Sequence, residues 1–287
     1  MSKGLVIKSI SGEYTVYDNG EKIVCKPRGV FRHNEKNVKV GDWVTYDKET
    51  KIISEIEKRK NDLNRPVISN VEKGIIVTSV VEPELNLNLL DKMISLLEYN
   101  SITPILIFSK IDLLKAIDDF NKIKNYYEKI GYTVITTEEK NLGEKIISSI
   151  GTSISFLVGQ SGVGKSTLLN TIDKNLTLKT NEISQALGRG KHTTRHIELF
   201  PVGNGFIADS PGFGSLVFED MSLLSLSQTF VEFFKNSDKC KYRPCYHKNE
   251  PKCMIKELVE KGEILKSRYE NYLQFVSEIE LRDKNKY

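Results

Sequence analysis

The sequence predicts a mixed α/β chain in three parts: a small N-terminal β-barrel, a central sheet covered by helices, and a helical C-terminal domain. Three observations support this fold class. Residues 1–65 contain short runs rich in Val, Ile and aromatic residues, interrupted by turn residues. Residues 66–218 alternate apolar strands with amphipathic helices, and residues 219–287 are helical around a loop that holds three of the four cysteines. A chain of 287 residues has room for two or three compact domains.

The N-terminal segment carries the pattern of a small closed barrel. Its strand candidates are KGLVIKSI, EYTVYD, EKIVCKP and DWVTYD, and the Asn-Gly in YDNGEK predicts a hairpin because both residues accept positive φ at little cost. We expect roughly five short strands in an OB-type fold, which often binds oligonucleotides. Trp43 and Tyr46 are candidates for base stacking or for barrel packing, and we expect Trp43 in the core. Cys25 lies in a predicted strand, where we expect a small core residue.

The central region has the pattern of a mostly parallel sheet. It follows a polar stretch, KRKNDLNRP (residues 58–66), which we expect to be a linker. The strand candidates are GIIVTSVV, TPILIFS, YTVITT and SISFLVG, separated by helical patterns such as LNLNLLDKMISLLEYN. HIELFPV and GFIADS form a predicted hairpin. Apolar strands that alternate with helices predict a sheet with helices on both faces.

Composition and charge narrow the class of protein. Hydrophobic residues make up 39% and charged residues 28%, as in ordinary globular proteins. No window holds 18 uninterrupted apolar residues, and the N-terminus lacks the pattern of a secretory signal, so we expect a cytoplasmic protein without a membrane span. Residues 1–65 hold 14 basic and 10 acidic residues, and residues 235–256 hold seven basic and two acidic residues. These two segments are either solvated surface or patches that bind a polyanion such as RNA.

The stretch GQSGVGKST, Gly159–Thr167, matches the phosphate-binding pattern G-x-x-x-x-G-K-[ST]. It follows a strand candidate and opens a helix candidate, which is the context that the motif requires. Its glycines let backbone N–H groups turn toward phosphate oxygens, and the helix N-terminus adds a positive dipole end. Lys165 is placed to reach the β and γ oxygens, and Ser166 to bind Mg²⁺. The predicted phosphate-binding residues are Gly159, Gln160, Ser161, Gly162, Val163, Gly164, Lys165, Ser166 and Thr167.

A second acidic group and two switch candidates follow the phosphate loop. FIADSPGFG places Asp209 at the end of a strand, in the D-x-P-G form of a switch II segment. We expect Asp209 to hold Mg²⁺ and the Gly212 N–H to contact the γ-phosphate, with Pro211 between them. The Gly-rich stretch ALGRGKHTTRHIEL, residues 186–199, suits switch I, in which one of two adjacent threonines, Thr194 in preference, closes on Mg²⁺.

The stretch FSKIDLL has the form of the Asn-Lys-x-Asp motif with which GTP-binding proteins recognise guanine, with Ser109 in place of Asn. The Asp112 carboxylate can accept two hydrogen bonds from the guanine N1–H and exocyclic amine, a donor pair that adenine lacks. Ser109 keeps a hydroxyl but loses the amide, so guanine preference should survive with reduced affinity. ITTEEKN, residues 135–141, is the candidate loop for backbone contacts to the base. The predicted base-recognition residues are Ser109, Lys110, Ile111 and Asp112.

Three cysteines cluster with a histidine near the C-terminus. The order Cys240-x4-Cys245-x-His247-x5-Cys253 offers three thiolates and one imidazole, a closed tetrahedral set suited to one structural zinc. Basic neighbours such as Lys241 offset the thiolate charge and are candidates for phosphate contacts. The alternative is a set of reduced cysteines without metal in a small helical domain.

The motifs stand in an unusual order: base recognition, base support, phosphate loop, switch I and switch II. In an ordinary GTPase base recognition follows the phosphate loop, so this order resembles that of the circularly permuted GTPases. With a small barrel before it and a Cys/His region after it, the chain is similar to the small ribosomal subunit biogenesis GTPases of the RsgA type. The resemblance covers essentially the whole chain. Its most specific parts are the motif order, GQSGVGKST, DSPG and the metal-ligand spacing.

The resemblance implies GTP hydrolysis that the small ribosomal subunit stimulates, and a role in the late maturation of that subunit. It implies contact with ribosomal RNA through the barrel and the zinc domain, one structural Zn²⁺, and Mg²⁺ bound with GTP; we expect a monomer. Phe213 replaces the water-orienting Gln of many GTPases, so another group must orient the water. The resemblance favours His192 over His196 for this catalytic role.

Two other functions fit parts of the sequence. One is an RNA-binding zinc protein that uses the nucleotide pocket only as a sensor. Lys165, Ser166 and Asp209 disfavour it, because a pure scaffold need not keep Mg²⁺ chemistry. The other is a metabolic kinase that uses ATP, which Asp112 and the motif order disfavour.

Overall fold

The computed structural model describes residues 1–29, 37–64, 66–173, 197–209 and 216–285. The chain divides into two compact units, the first from residues 1–75 and 140–215 and the second from residues 76–139 and 216–287. The division into domains after residues 65 and 218 stays a prediction. Among the helices in the described ranges, none combines the length and the apolar composition that crossing a membrane takes.

Five strands of the first unit close into a barrel. They are β1 (Ser2–Ile10), β2 (Glu13–Asp18), β3 (Glu21–Pro27), β4 (Trp43–Tyr46) and β5 (Ile52–Ile56). β1 pairs antiparallel with β2 and β4, β2 with β3, and β4 with β5, and the parallel pair β3–β5 closes the ring. The turn from β2 to β3 has Asn19 at φ 48° and Gly20 at φ 94°, as an Asn-Gly hairpin requires. The predicted OB-type barrel is confirmed.

Alternation along β4 decides which aromatic residue enters the barrel. Val44 and Tyr46 are fully buried, whereas Trp43 is 44% exposed. Successive side chains of a strand lie on opposite faces, so the register that buries Tyr46 turns Trp43 outward. The Tyr46 hydroxyl donates to Asp18 Oδ2 at 2.8 Å, which satisfies both polar groups. The prediction that Trp43 lies in the core is therefore wrong, and the prediction that Cys25 does is confirmed, since Cys25 is fully buried.

The segment after the barrel is structured. β6 (Asp62–Asn64) and β7 (Val67–Ser69) form a short antiparallel hairpin. Ahead of it, Arg59 Nε and Nη2 donate to the two carboxylate oxygens of Asp42 at 2.7 and 2.8 Å. Asp42 is fully buried, and a buried carboxylate requires such pairing. The prediction of a linker over residues 58–66 is wrong, because this pairing anchors the segment to the barrel.

From residue 73 onward, strands alternate with helices and a helical region follows, as the sequence predicts. The strands are β8 (Lys73–Ser79), β9 (Thr103–Ser109), β10 (Thr133–Thr136), β11 (Ile154–Val158), β12 (Glu198–Val202) and β13 (Gly205–Asp209). The helices between them are α1 (Leu87–Tyr99), α2 (Asp118–Ile130), α3 (Leu142–Ile150) and α4 (Lys165–Ile172). The C-terminal helices are α5 (Leu223–Thr229), α6 (Val231–Phe234), α7 (Met254–Glu260) and α8 (Lys266–Lys284). The predicted α/β fold class with an N-terminal barrel and a C-terminal helical region is confirmed.

The sheet of the first unit continues from the barrel. β11 pairs parallel with β13, and β12 pairs antiparallel with β13 as the predicted hairpin. β12 also pairs antiparallel with the barrel strand β1 at Lys8 and Glu198, whose side chains form an ion pair of 2.5 Å. The strand order is therefore β11-β13-β12-β1. Main-chain pairing thus joins the barrel to the hairpin that ends at Asp209.

In the second unit, the strands β8, β9 and β10 lie in that order, and β9 pairs parallel with β10. α1 is capped by Asn86, whose side chain accepts a hydrogen bond of 2.9 Å from a first-turn N–H. α2 is followed by Gly131, which takes the left-handed conformation (φ 119°) typical of the residue after a helix. Leu90, Ile94 and Leu97 are fully buried at the spacing of one helix face, so α1 contributes an apolar stripe to the core.

The C-terminal helices of the second unit pack through aromatic rings and against α1. The ring centroid of Phe230 lies 4.9 Å from that of Phe233 and 5.2 Å from that of Tyr272. Glu278 of α8 pairs with Lys92 of α1 at 2.7 Å. The helices from both ends of this unit therefore share one core.

A buried charge network joins α8 to α1, α2 and α6. Arg268 is 1% exposed, and its guanidinium donates to Asp91 Oδ1 and Glu232 Oε1, both at 2.5 Å. Tyr127 donates to Asp91 at 2.6 Å, and Tyr126 donates to Glu232 at 3.1 Å. Burial opposes the charge, but the two carboxylates raise the pKa of Arg268 above its ordinary value. The guanidinium is therefore the shared counter-charge of two buried acids inside the unit.

Replacing Arg268 with Ala should destabilise the second unit strongly. Loss of the guanidinium leaves Asp91 and Glu232 buried without a counter-charge, and breaking a buried pair in this way costs about 3–5 kcal/mol. Hydrogen exchange of the α1 amides measures this as a fall in the free energy of opening. The control is Lys266→Ala, which removes an exposed ion pair to Glu270 and should cost less than about 1 kcal/mol. Similar exchange in the two variants would contradict a structural role for the network.

Candidate nucleotide and metal sites

The predicted phosphate loop lies in the first unit between β11 and α4. β11 ends at Val158, and α4 begins at Lys165. Between them, Gly162 has φ 80° and Gly164 has φ 97°, a region that residues with a side chain rarely adopt. Strand, loop and helix thus follow in the order that a phosphate-binding motif requires.

Lys165 folds back into the loop. Its Nζ donates to the carbonyl oxygen of Gly159 at 2.6 Å and to that of Gln160 at 2.5 Å. Burial lowers the pKa of Lys165. Ser166 and Thr167 follow in the exposed first turn of α4. The loop therefore holds a cation beside a helix N-terminus, and both features attract phosphate oxygens.

The predicted magnesium-binding acid lies at the same edge of the sheet as the phosphate loop. Asp209 ends β13, which runs parallel to β11 with Ala208 beside Phe156. Because the carboxyl ends of parallel strands meet at one edge of a sheet, the main chain brings Asp209 next to the loop that follows β11. The predicted Mg²⁺ ligand Asp209 thus ends a strand beside the one from which the loop to Ser166 starts.

The predicted switch residues fall outside the described residues, in 174–196 and 210–215. They are His192, Thr194, His196, Pro211, Gly212 and Phe213. Their roles stay predictions.

The predicted guanine-recognition motif begins where β9 ends, in the second unit. Ser109 is the last residue of β9 and is buried. Lys110 takes a left-handed conformation (φ 61°), and its ammonium donates to the Glu82 carbonyl oxygen. After this sharp turn, Asp112 lies exposed in the 3₁₀ turn Ile111–Leu113. The Asp112 carboxylate is therefore accessible to the edge of a base.

The predicted base-support loop follows β10 in the same unit. The Thr137 N–H donates to the Phe108 carbonyl oxygen at 3.0 Å, so the loop runs beside the end of β9. Glu139 Oε1 accepts a hydrogen bond from the Thr136 N–H at 2.9 Å and closes the turn. The structure therefore brings the base-support loop to the strand that carries the guanine-recognition motif.

The predicted metal ligands also come together in the second unit. Cys240, Cys245, His247 and Cys253 are buried, and their ligand atoms all lie within 4.8 Å of one another. His247 Nδ1 is 3.7 Å from Cys240 Sγ and 3.4 Å from Cys253 Sγ. Three sulfurs and one imidazole nitrogen form a closed set of four ligands, the composition of many structural zinc sites. The residues present fit one metal ion.

Burial sets the protonation of these ligands. It raises the pKa of the Cys245 thiol to about 12 and also raises the pKa of the Cys253 thiol, whereas it lowers the pKa of His247. The imidazole is therefore neutral, which is the form that binds a metal. The thiols must give up protons when a metal ion binds.

Residues 240–253, which carry the four candidate ligands, form a loop that we call the metal loop. Other residues hold this loop in place, and the cysteine spacing did not reveal them. The Glu250 carboxylate accepts hydrogen bonds from two backbone N–H groups of the loop, each at 2.8 Å. Tyr269 of α8 donates to the His247 carbonyl oxygen at 2.8 Å, and Tyr272 donates to the Tyr246 carbonyl oxygen at 2.5 Å. The two tyrosines are three residues apart, which places them on one face of the helix. This spacing is the sequence feature that could have identified them.

Two family matches together cover the N-terminal three quarters of the chain. Residues 53–219 match the RsgA GTPase family, and residues 3–54 match the RsgA N-terminal domain. Two relatives bear the name "Small ribosomal subunit biogenesis GTPase RsgA". That of Shouchella clausii (strain KSM-K16) is 45% identical over 98% of both chains. That of Bacillus subtilis (strain 168) is 43% identical over 98% of this chain and 99% of its own.

Two crystal structures share the fold over nearly the whole chain. That of YloQ, a circularly permuted GTPase, aligns with a TM-score of 0.83 at 37% identity, over 98% of this chain and 96% of that chain. That of YjeQ from Thermotoga maritima aligns with a TM-score of 0.81 at 34% identity, over 96% of this chain and 97% of that chain. These matches confirm the resemblance that the permuted motif order indicated, and the chain belongs to the RsgA GTPase family.

Proposed function

We propose that this chain hydrolyses GTP while bound to the small ribosomal subunit, during the late maturation of that subunit, as a cytoplasmic monomer. Support comes from full-length relatives with 42–46% identity, which are named small ribosomal subunit biogenesis GTPases. The observation that carries the proposal is the phosphate loop, which joins β11 to α4 at the sheet edge where β13 ends at Asp209. This is the arrangement of a nucleoside triphosphatase in a chain that belongs to a GTPase family.

Each motif has a role in this proposal. The loop Gly159–Thr167 holds the phosphates of GTP, with Lys165 on the β and γ oxygens. Mg²⁺, when bound with GTP, neutralises charge on the phosphates, and the residues that would hold it are Ser166, Thr194 and Asp209. Pro211 and Gly212 belong to switch II and respond to the γ-phosphate. Ser109, Lys110, Ile111 and Asp112 recognise guanine.

The proposed partner is the RNA of the small subunit. The barrel segment carries an excess of basic residues, and residues 235–256 around the metal ligands carry seven basic and two acidic residues. Positive surface of this kind attracts phosphate groups. We propose that the barrel and the metal-binding region make the RNA contacts and that Zn²⁺ is the ion that the four clustered ligands hold.

The experiment that tests the proposed function is GTP hydrolysis with and without purified small subunits. Phe213 cannot orient water by hydrogen bonding, so we expect slow turnover that subunits accelerate by at least about tenfold, a barrier change of about 1.4 kcal/mol. We propose His192 as the residue that activates the water. His192→Ala should lower the stimulated rate by roughly 10²–10⁴-fold, which is the usual contribution of an acid–base group. The affinity for GTP should stay unchanged.

The matched control for His192→Ala is His196→Ala, four residues along, which should keep stimulated turnover. Equal rates with and without subunits would refute the proposed function. GTP binding that never leads to turnover would support the alternative of an RNA-binding protein with a nucleotide sensor. Full stimulation of His192→Ala would remove only the role of His192.

Replacing Asp112 with Asn should change which base is bound. The Asn side chain is not charged and has one acceptor oxygen instead of two for the guanine N1–H and amine. GTP affinity should therefore fall by roughly 10- to 100-fold when the exposed Asp112 carboxylate is replaced. Xanthosine triphosphate should gain, because its 2-oxo group accepts a hydrogen bond from the new amide. Titration with GTP, ATP and xanthosine triphosphate measures the change. Asp119→Asn, at an exposed carboxylate paired with Lys122, is the control and should bind GTP normally.

The four clustered ligands should hold one zinc ion per chain, measurable by native mass spectrometry. Cys253→Ser should lose the ion, whereas Cys25→Ala, at the buried cysteine of the barrel, should keep it. Because burial raises the pKa of Cys245 and Cys253, zinc binding should release protons, and zinc affinity should fall as the pH is lowered. Calorimetry in buffers of different ionisation enthalpy counts those protons. Purified protein that carries no zinc at neutral pH would contradict the assignment.

A further inference from the structure

A cavity beside the metal ligands has no part in the roles assigned above. Its volume is about 230 Å³, and its walls come from α5, from α6 and from the loop that leads to Cys245. Pockets that enclose a whole small ligand usually measure roughly 300–1,000 Å³. The cavity is therefore suited to one compact group, such as a single nucleobase.

The cavity presents an aromatic face. Phe234 lines it and is 58% exposed, although its neighbours Phe230 and Phe233 are fully buried. Leu224, which is 43% exposed, and Pro244 add apolar wall. A flat ring that enters the cavity can stack on Phe234 and remove this apolar surface from water.

Polar groups at the cavity suit the edge of a base. Gln228 and Asp238 line it, and both are exposed. Together they offer an amide and a carboxylate to donors and acceptors on a base. Arg243 also lines the cavity, and its Nη2 donates to the Asp238 carbonyl oxygen at 2.7 Å. The remaining guanidinium N–H groups of Arg243 can reach a phosphate outside the cavity.

Charge around the cavity favours RNA over a peptide. Exposed basic residues follow one another along the metal loop, and Lys241 lies 5.4 Å from the ring centroid of Tyr242, which is 45% exposed. The loop carboxylate of Glu250 is already occupied by two backbone N–H groups. Basic groups interleaved with exposed aromatic rings are the composition of sites that bind single-stranded nucleic acid. The exposed basic residues of this surface are Lys239, Lys241, Arg243 and Lys252.

We propose that this cavity binds one unstacked base of single-stranded RNA, with Phe234 as the stacking platform and Arg243 on the adjacent phosphate. The proposal rests on the proposed function, since the small ribosomal subunit is the source of that RNA. It adds a base-binding site to a surface for which charge alone predicts only contact with phosphates.

The test uses the full zinc-loaded chain and a uridine RNA decamer with one central 2-aminopurine, whose fluorescence falls when it stacks. Phe234→Leu keeps an apolar side chain but removes the ring. It should weaken binding by about 5- to 100-fold and abolish the quenching, without altering the salt dependence. Arg243→Gln should lower the slope of log affinity against log salt by about 0.7, the value of one lost phosphate contact. Leu281→Ala, at a side chain of α8 that is 61% exposed and does not line the cavity, should bind as the wild type does.

Stimulated GTP hydrolysis on the same samples separates this proposal from the proposed function. If the wild type shows no quenching, or if Phe234→Leu quenches as the wild type does, the cavity proposal is overturned whether or not subunits stimulate hydrolysis. If the wild type is not stimulated while Phe234-dependent quenching persists, the cavity proposal stands and the proposed function falls. Competition by free AMP at the affinity of the decamer would assign the cavity to a mononucleotide and overturn it. Loss of subunit binding by Phe234→Leu with unchanged RNA binding would indicate a protein occupant and also overturn it.

Discussion

One buried guanidinium holds the second unit together. Arg268 lies between Asp91 of α1 and Glu232 of α6, and an apolar residue in its place would leave two buried carboxylates without a counter-charge. Tyr127 of α2 joins the same network, and α2 begins shortly after the turn that carries Asp112. The metal loop is fixed to the same helix as Arg268, through two tyrosine hydroxyls. The predicted guanine-recognition turn and the four candidate metal ligands therefore belong to one packed body rather than to independent modules.

Much of this protein could be predicted from its sequence, because its motifs place demands on the backbone that few residues meet. The glycines of the phosphate loop are required at positive φ, where Gly162 and Gly164 lie. The Asn-Gly turn of the barrel is a second case. The cysteine spacing predicted a buried four-ligand cluster, because three cysteines and one histidine within fourteen residues are typical of a metal site. In each case the local sequence contains the whole physical cause.

The errors have a different origin, since they depend on contacts between distant parts of the chain. Alternation along β4 predicts that Trp43 and Tyr46 lie on opposite faces of the strand. It does not predict which of the two faces lines the barrel interior. The polar stretch of residues 58–66 has the composition of a linker. Its anchor is the pairing of Arg59 with the buried Asp42, 17 residues earlier, and the local sequence does not reveal that partner. Arg268 stands in a charged helix and resembles any surface arginine until α1 and α6 are packed against it. Such pairs cannot be read from spacing, because each partner is chosen by the tertiary fold.

The pairing of β1 with β12 has a practical consequence for work with fragments. β12 is covered on one side by β13 and on the other by the barrel. A fragment that starts after the barrel would lose this pairing at Glu198 and leave that side of β12 as an edge. Exposed edges of this kind recruit strands from other molecules, so such a fragment should self-associate. The barrel strand β1 thus occupies a position at which another molecule could otherwise pair with the sheet.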